Sequence, residues 1–290
     1  MDTLIALAIA GTATGCVYAL VALGFVLIWK CTEVVNFAHG ELMMLGGFTG
    51  LGLATLGWPW PLALAGAALA SALFGLLAER IVLRPLLGQP HIPIVMTTLG
   101  LGFMLKGAVT MIPGAGTETH ALPTPFGGQS VAFAGATVAA DHLLVIGVTL
   151  LLGAALFVFF QFAPLGKALR ATAQNPLGAR LVGIPLDRMQ GLVWALAAGL
   201  AAVAGVLLAP VTFVHAHMGL IGLKALPAAV IGGFGSIPGA VAGGLLLGLV
   251  EAFAGFYAPD GIKDIAAHLL VLAVLLWRPA GLFGRPQENT

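Results

Sequence analysis

Charge is what this sequence has least of. Charged residues make up 8% of its 290 positions, against about 25% in ordinary soluble domains. Apolar residues make up 60%, and several runs approach about 20 residues with few or no charges, the length of a helix that crosses a bilayer core. A water-soluble domain is excluded, because nothing polar remains to coat such helices. The sequence therefore predicts an all-α polytopic membrane protein.

Cysteine is also scarce, and the net charge is close to zero. The two cysteines, Cys16 and Cys31, lack the spacing of metal ligands, so we interpret them as packing residues and expect no metal site. The net charge of +1 gives no reason to expect a nucleic-acid partner. Asp2 is the only charge in the first stretch, which has no basic region. We therefore expect a first span there and not a cleaved signal peptide.

Catalytic motifs are missing as well. The sequence contains no G-x-x-x-x-G-K-[ST] phosphate loop and neither H-E-x-x-H nor G-x-S-x-G. The chain is therefore expected to be no enzyme and to bind no cofactor itself. His215 and His217 form an H-x-H pair without further ligands nearby, which favours polar groups at an external boundary over a metal site.

Hydropathy divides the chain into eight spans and one shorter apolar piece. The piece at 225–235 is too short to cross alone, which favours a broken or re-entrant helix. We expect one transmembrane domain over residues 1–290 with eight or nine full or half-membrane helices. The predicted spans are 4–29, 41–57, 61–79, 92–112, 142–163, 190–211, 237–257 and 262–277.

Lysine and arginine predict the orientation, because cytoplasmic loops carry their excess. When the spans alternate and the short piece is counted as a crossing, nine of the 12 basic residues fall on one side. We expect that side to be cytoplasmic, which places the N-terminus in the periplasm, the C-terminus in the cytoplasm and 113–141 as the largest external loop. The nine are Lys30, Arg80, Arg84, Lys167, Arg170, Arg180, Arg188, Arg278 and Arg285.

The cytoplasmic loop 164–189 contains the signature of a short helix. Asn175 can cap it, Pro176 suits the first helical position, and Gly183 with Pro185 can end it. About two turns of helix are too few to be stable alone. Either the protein's own cytoplasmic ends or a partner must hold this helix, and a basic loop that only fixes topology is the alternative.

The segment "GKALRATAQNPLGARLVGI" resembles the coupling helix in permease subunits of branched-chain amino acid ABC importers, the LivH type. Three further blocks agree in order and spacing: "NFAHGE" at 36–41, "KALPAAVIGGFGSIPGAVAGGLLLGLVEA" at 224–252 and "RPAGLFGRP" at 278–286. Many ABC importers begin the coupling motif with Glu-Ala-Ala, whereas residues 171–173 here read Ala-Thr-Ala. The resemblance is therefore to the branched-chain and urea-like branch.

The resemblance implies an ABC importer permease bundle in a bacterial inner membrane that translocates leucine, isoleucine or valine delivered by a periplasmic binding protein. It implies a second homologous permease subunit and two ATP-binding subunits that hold ATP and Mg²⁺. Urea, amides or other amino acids are alternative loads, and a stand-alone ion-coupled carrier or channel is the alternative of another class. The coupling residues implied are Arg170, Asn175, Pro176, Ala179, Arg180 and Gly183.

Polar and helix-breaking residues in the apolar segments are candidates for a gate or substrate pathway. In "NFAHGE" we expect Asn36 to cap a helix and Glu41 to lie in its second turn, and His39 is either a structural residue or part of a gate. Elsewhere, close packing is expected at Gly239, Gly243 and Gly244, and pairing, placement at the outer interface or a pathway role at Glu251. The candidates are Asn36, His39, Glu41, Pro227, Gly232, Gly233 and Glu251.

Overall fold

Helices form nearly all of the regular structure in the part of the chain that the computed structural model describes, which is residues 2–86, 88–114, 116–133, 135–259 and 261–284. The helix α3 continues through a π-helical turn at Glu79–Leu83 and a 3-10 turn at Arg84–Leu86. The elements are α1 Asp2–Thr32, α2 His39–Thr55, α3 Trp60–Ala78, α4 His91–Thr110, β1 Ser130–Phe133, β2 Ala136–Ala139, α5 Ala140–Phe162, α6 Pro164–Gln174, α7 Pro176–Leu181, α8 Leu186–Thr212, α9 Met218–Leu223, α10 Ala225–Gly232, α11 Ile237–Tyr257 and α12 Ile262–Trp277.

Six of these helices are long and apolar enough to cross a membrane. They are α1, α3 with its continuation, α4, α5, α8 and α11. The helices α2 and α12 are shorter, at 17 and 16 residues, and α9 and α10 are consecutive short apolar pieces. The predicted bundle of full and partial membrane helices is confirmed. The short piece predicted at 225–235 contains the eight-residue helix α10, which is separated from α9 at Lys224 and ends before Gly233.

The core of the bundle lies along α8 and α1. Within the most apolar window of α8, 78% of the residues are buried, whereas the corresponding share in α5 is 6%. The helix α8 packs against α1, α2 and α3, and α1 also packs along α11. The helix α8 is therefore a central element, and α5 presents its apolar sides outward to lipid or a partner.

Glycines on α11 allow its close approach to α1 and α10. A Cβ atom built on Gly244 would lie 2.6 Å from the Cα atom of Ala19 on α1. Cβ atoms on Gly239 and Gly243 would collide with the backbone of Gly232 and Ala228 on α10. The predicted close packing at Gly239, Gly243 and Gly244 is confirmed, as expected where small residues replace bulk between membrane helices.

Two local features of the fold differ from the sequence prediction. The long loop 113–141 contains an antiparallel hairpin in which Ser130 pairs with Ala139, and Gly135, with φ 88°, lies in its turn. The loop 164–189 contains an 11-residue helix, α6, before the predicted short helix. In the described part of the chain this hairpin is the one two-stranded sheet, and the loop 164–189, predicted to be the coupling loop, contains a pair of helices.

Candidate functional site

The short helix α7 has the caps that its sequence predicts. The Asn175 side chain accepts a hydrogen bond from the Gly178 N–H group at 2.8 Å, and Pro176 occupies the first helical position. After the helix, Gly183 adopts φ 85°, and the Ile184 N–H group donates to the Ala179 carbonyl at 3.0 Å. The predicted start and stop of this helix are confirmed.

The two sides of α7 face different surroundings. Ala179 is buried against the protein. The side chains that point away from it are apolar and exposed: Leu177 is 75% exposed, Leu181 is 88% and Val182 is 77%. Arg180 is exposed beside them. An isolated helix of six residues with an apolar outer face is typical of a surface that a partner covers.

The preceding helix α6 anchors α7 to the bundle. Its inner face buries Gly166, Leu169 and Thr172, and a Cβ atom on Gly166 would collide with the Phe159 carbonyl of α5. On the outer face, the Arg170 guanidinium donates to the Gln161 side chain at 3.2 Å. The expected helix is therefore held by the protein itself as well as exposed on one side.

The polar stretch 36–41 forms a buried turn between α1 and α2. The Asn36 side chain accepts a hydrogen bond from the Ala38 N–H group at 3.0 Å, and the Asn36 carbonyl accepts one from the His39 N–H group at 3.1 Å. The N-cap of α2 is Ala38, which makes no side-chain cap. The prediction that Asn36 caps this helix is wrong: its side chain folds onto its own turn instead.

His39 fills the space between α1 and α2. Its side chain is fully buried, and its ring lies 4.6 Å from the ring of Phe25 between centroids. A Cβ atom on Gly24 would lie 2.5 Å from the His39 Cε1 atom. The backbone of Val21 also approaches the ring. His39 therefore has the surroundings of a packing residue at the start of α2.

Glu41 lies on another side of α2, against α4 and α9. It occupies the first turn of α2, not the second turn that the sequence predicts. A Cβ atom on Gly102 of α4 would lie 3.4 Å from the Glu41 Cγ atom, and one on Gly219 of α9 would collide with the carboxylate. Among the described residues the buried Oε2 atom has no hydrogen-bond donor.

One cation belongs to the surroundings of Glu41. Lys106, one turn beyond Gly102 on α4, acts on its carboxylate electrostatically. The Lys106 Nζ atom lies 3.4 Å from the His217 Nδ1 atom. The carboxylate and the ammonium group are thus near one another without an ion pair in the described part of the chain.

The Phe37 N–H group contributes the last polar contact of this region. It donates to the Thr98 Oγ1 atom of α4 at 3.3 Å, and Thr98 is fully buried. The structure thus places the turn at Phe37 beside Thr98 of α4 and Glu41 near Lys106 of the same helix, whereas His39 faces α1. Sequence reasoning missed Thr98, because contact with a distant helix leaves no local signal.

Glu251 lies between α11 and α1. The side chain is 1% exposed, and its Oε2 atom accepts a hydrogen bond from the Tyr18 hydroxyl at 2.7 Å. This contact bears out the pairing that the sequence led us to expect for an acid within a span. It joins the membrane helices α1 and α11 through a buried side-chain hydrogen bond.

The break at Gly232 and Gly233 is filled by the chain itself. Gly233 adopts φ 92° and ends α10, which includes Pro227. The carbonyls of Ile231 and Gly232 accept hydrogen bonds from the N–H groups of Leu282 at 2.8 Å and Phe283 at 3.2 Å. The freed carbonyls are therefore occupied by the segment after α12, which favours close packing over a substrate contact at this break. Arg285 and the end of the block 278–286 lie outside the described residues.

The pair His215 and His217 lies between α8 and α9. The His217 N–H group donates to the His215 Nδ1 atom at 3.2 Å. Burial, and then the charge of His217, lower the pKa of His215. Over the described ranges, no group of three or more His, Cys, Asp or Glu residues is arranged to hold a metal ion.

Comparison with known proteins identifies the family. A family model described as "Branched-chain amino acid transport system / permease component" matches residues 7–277. The chain belongs to this family. It is therefore the permease of an ABC importer, and the resemblance stated from the sequence is confirmed.

Relatives of this permease match it over nearly their full length. The "High-affinity branched-chain amino acid transport system permease protein LivH" of Salmonella typhimurium is 34% identical over 96% of this chain and 94% of its own. The protein named BraD of Pseudomonas aeruginosa, with the same description, is 35% identical with the same coverage. One solved structure, "PsaBC from Streptococcus pneumoniae in complex with Fab", has a TM-score of 0.46 at 18% identity, covering 94% of this permease and 90% of that chain.

Proposed function

We propose that this permease imports branched-chain amino acids, leucine, isoleucine and valine, driven by ATP that separate subunits hydrolyse. The observation that carries the coupling is α7, a helix capped at both ends whose exposed side is apolar. The substrate class rests on the relatives at 34% and 35% identity, which are described as branched-chain amino acid permeases.

The proposed assembly contains this chain, a second homologous permease subunit, two ATP-binding subunits and a periplasmic binding protein. The ATP-binding subunits hold ATP and Mg²⁺, since this chain has no phosphate loop in its sequence. The exposed apolar sides of α5, such as Leu151 and Phe157, are available to lipid or to the second permease subunit. The chain itself is proposed to be non-catalytic.

In the proposed mechanism, α7 sits in a groove of an ATP-binding subunit. Leu177, Leu181 and Val182 enter the groove, and Arg180 meets its polar rim. ATP binding closes the pair of ATP-binding subunits and moves α7, and α6 transmits that movement to α5 and α8, against which it packs. The shift biases the bundle between inward-open and outward-open states, because the two states contact the partner differently.

The proposed orientation has α7 in the cytoplasm of a bacterial cell, with the N-terminus in the periplasm. Two contacts support a common end for the basic loops. The Arg84 guanidinium donates to the Asp187 carbonyl at 2.9 Å, which joins the loop after α3 to the coupling loop. The rings of Trp29 and Phe234 lie 5.2 Å apart, which brings the end of α1 to the break before α11.

We propose that the substrate pathway runs beside Glu41 and not beside His39. Glu41 has an unpaired buried oxygen, and its side chain packs directly against glycines on α4 and α9. A buried carboxylate without a partner is costly in a membrane protein, so a role in transport explains its presence better than packing does. Asn36 and His39 then hold the turn that positions Glu41.

The test is import by the purified complex in proteoliposomes, together with a thermal-shift screen of the cognate binding protein. We expect ATP-dependent uptake of leucine, isoleucine and valine, and stabilisation of the binding protein by the same three. Stabilisation by urea alone would contradict the branched-chain assignment. Uptake that needs an ion gradient but no ATP-binding subunits would contradict the ABC mechanism.

A further inference from the structure

A buried carboxylate at the end of α3 has no place in the function described so far. Glu79 is 1% exposed and opens the π-helical turn Glu79–Leu83. The Arg84 Nε and Nη2 atoms donate to the two carboxylate oxygens at 3.1 Å and 3.0 Å. This bidentate geometry is the stronger form of the arginine–carboxylate contact.

The pair reaches across to the first turns of α8. The Arg84 Nη2 atom also donates to the Asp187 carbonyl at 2.9 Å. One turn later, a Cβ atom on Gly191 would lie 3.1 Å from the Glu79 Oε2 atom. The carboxylate therefore packs on the bare backbone of α8, while the guanidinium holds the turn before it. We call Glu79 and Arg84 the α3–α8 clamp.

The clamped turn is the first structure that follows the coupling helix. The helix α7 ends at Leu181 and α8 begins at Leu186. Gly183, with φ 85°, and Pro185, the N-cap of α8, restrict the short connection between them. A displacement of α7 is therefore delivered to the turn whose carbonyl Arg84 holds.

We propose that Glu79 and Arg84 are positioning residues that transmit the movement of α7 from α8 to α3. The proposal rests on the coupling role of α7 proposed above. The π-helical turn beside Glu79 gives α3 a register that differs from the α-helix on either side, a feature often found at functional sites. Through the clamp, α3 and α8 move together when the ATP-binding subunits close.

The contribution of the clamp is not that of an ordinary surface ion pair. Exposed pairs contribute about 0 to 1 kcal/mol, but here the Glu79 side chain is 1% exposed and that of Arg84 34%. Removing one partner leaves a buried charge without compensation, whereas removing both is milder. The pair therefore lends itself to a double-variant comparison.

The test uses the complete transporter in proteoliposomes with leucine as the probe. The variants are Glu79→Gln, Arg84→Lys and the double variant Glu79→Gln/Arg84→Gln, and the control is Arg80→Gln, an exposed arginine on the same turn. Two quantities are measured: leucine imported per ATP hydrolysed, and stimulation of ATP hydrolysis by the loaded binding protein. Assembly is checked by size-exclusion chromatography.

We expect the Glu79→Gln and Arg84→Lys complexes to hydrolyse ATP but to import about tenfold less leucine per ATP, a coupling loss within the usual range. Stimulation by the binding protein should fall in parallel, and the Arg80→Gln complex should match the wild type. If Glu79→Gln prevents assembly, the Arg84→Lys variant tests the clamp, because lysine keeps the positive charge and removes only the bidentate contact.

Two results would contradict the proposed role of the clamp in transmitting the movement of α7. One is wild-type leucine import per ATP in the assembled Arg84→Lys complex. The other is a loss of uptake and ATP hydrolysis strictly in proportion to lost assembly, which indicates a structural role alone. Failure of the coupling proposal itself is separate: the wild-type complex would then import no leucine with ATP, or variants in α7 would leave import per ATP unchanged.

Discussion

At the scale of single residues, the stretch "NFAHGE" contains residues that hold the turn and one acidic residue with different surroundings. His39 is enclosed by Phe25 and Gly24 of α1, and Asn36 bonds to the backbone of its own turn. Glu41 faces glycines of two other helices and the charge of Lys106. The sequence identifies these residues as unusual. It does not predict which helices Glu41 contacts, because the contacting residues are glycines without side chains.

Gly24 tests whether His39 is a packing residue. In Gly24→Ala the added methyl group meets the His39 ring, and such overpacking typically costs about 1–3 kcal/mol. We expect a fall of several degrees in the apparent Tm of the purified complex. The control is Gly147→Ala on α5, where an added Cβ atom meets nothing within 4 Å. Equal Tm values for the two variants would contradict the packing role.

Glu41→Gln separates transport from assembly. The amide keeps the shape of the side chain but removes the titratable carboxyl group near Lys106. We expect normal assembly of the complex and a loss of leucine uptake of at least about tenfold, corresponding to about 1.4 kcal/mol of transition-state stabilisation. His39→Ala serves as the comparison, because it should impair assembly itself. Normal uptake by the Glu41→Gln complex would remove Glu41 from the pathway.

At the scale of elements, the coupling loop shows how far a local pattern predicts structure. Asn175, Pro176 and Gly183 act within one turn of the residues they cap, so the start and stop of α7 follow from the sequence. The helix α6 was missed although local signals exist, because Pro164 stands at its first position and its buried residues recur every three positions. The hairpin was missed because four-residue strands are too short for a period to be distinguished.

Gly183→Pro and Arg180→Glu test the coupling role of α7. Proline fixes φ near about −65°, which is incompatible with the φ of 85° at Gly183, and glutamate reverses the charge on the exposed side. We expect ATP hydrolysis to continue while leucine import per ATP falls by about tenfold, within the usual range of coupling free energies.

A matched control for Gly183→Pro lies in the loop after α2. Gly57 follows a helix end and has φ 84° with open space around it, so Gly57→Pro imposes the same backbone strain away from α7. Normal coupling is expected there, apart from a comparable loss of stability. Wild-type import per ATP in both α7 variants would refute the coupling assignment.

At the scale of the whole molecule, the membrane-spanning helices could be predicted because bilayer thickness sets their length. Their packing against one another could not be predicted from the sequence. Each span needs about 20 apolar residues, so six of the eight predicted spans coincide with helices of that length, and the other two coincide with the shorter helices α2 and α12. The sequence did not reveal that α8 is central and α5 peripheral, because both are apolar on all sides. Nor did it reveal that the segment after α12 closes the break at Gly232, since that contact joins distant parts of the chain.

The proposed orientation predicts opposite accessibility for two exposed positions. Gln129 lies in the long loop before α5, and Arg188 lies in the first turn of α8. In a Cys16→Ala/Cys31→Ala background, the Gln129→Cys variant should react with a membrane-impermeant maleimide in intact spheroplasts. The Arg188→Cys variant should react only after permeabilisation, because positive charge is retained on the cytoplasmic side. Labelling in the reverse order would show that the bundle has the opposite orientation, with α7 on the side where no ATP-binding subunit reaches it.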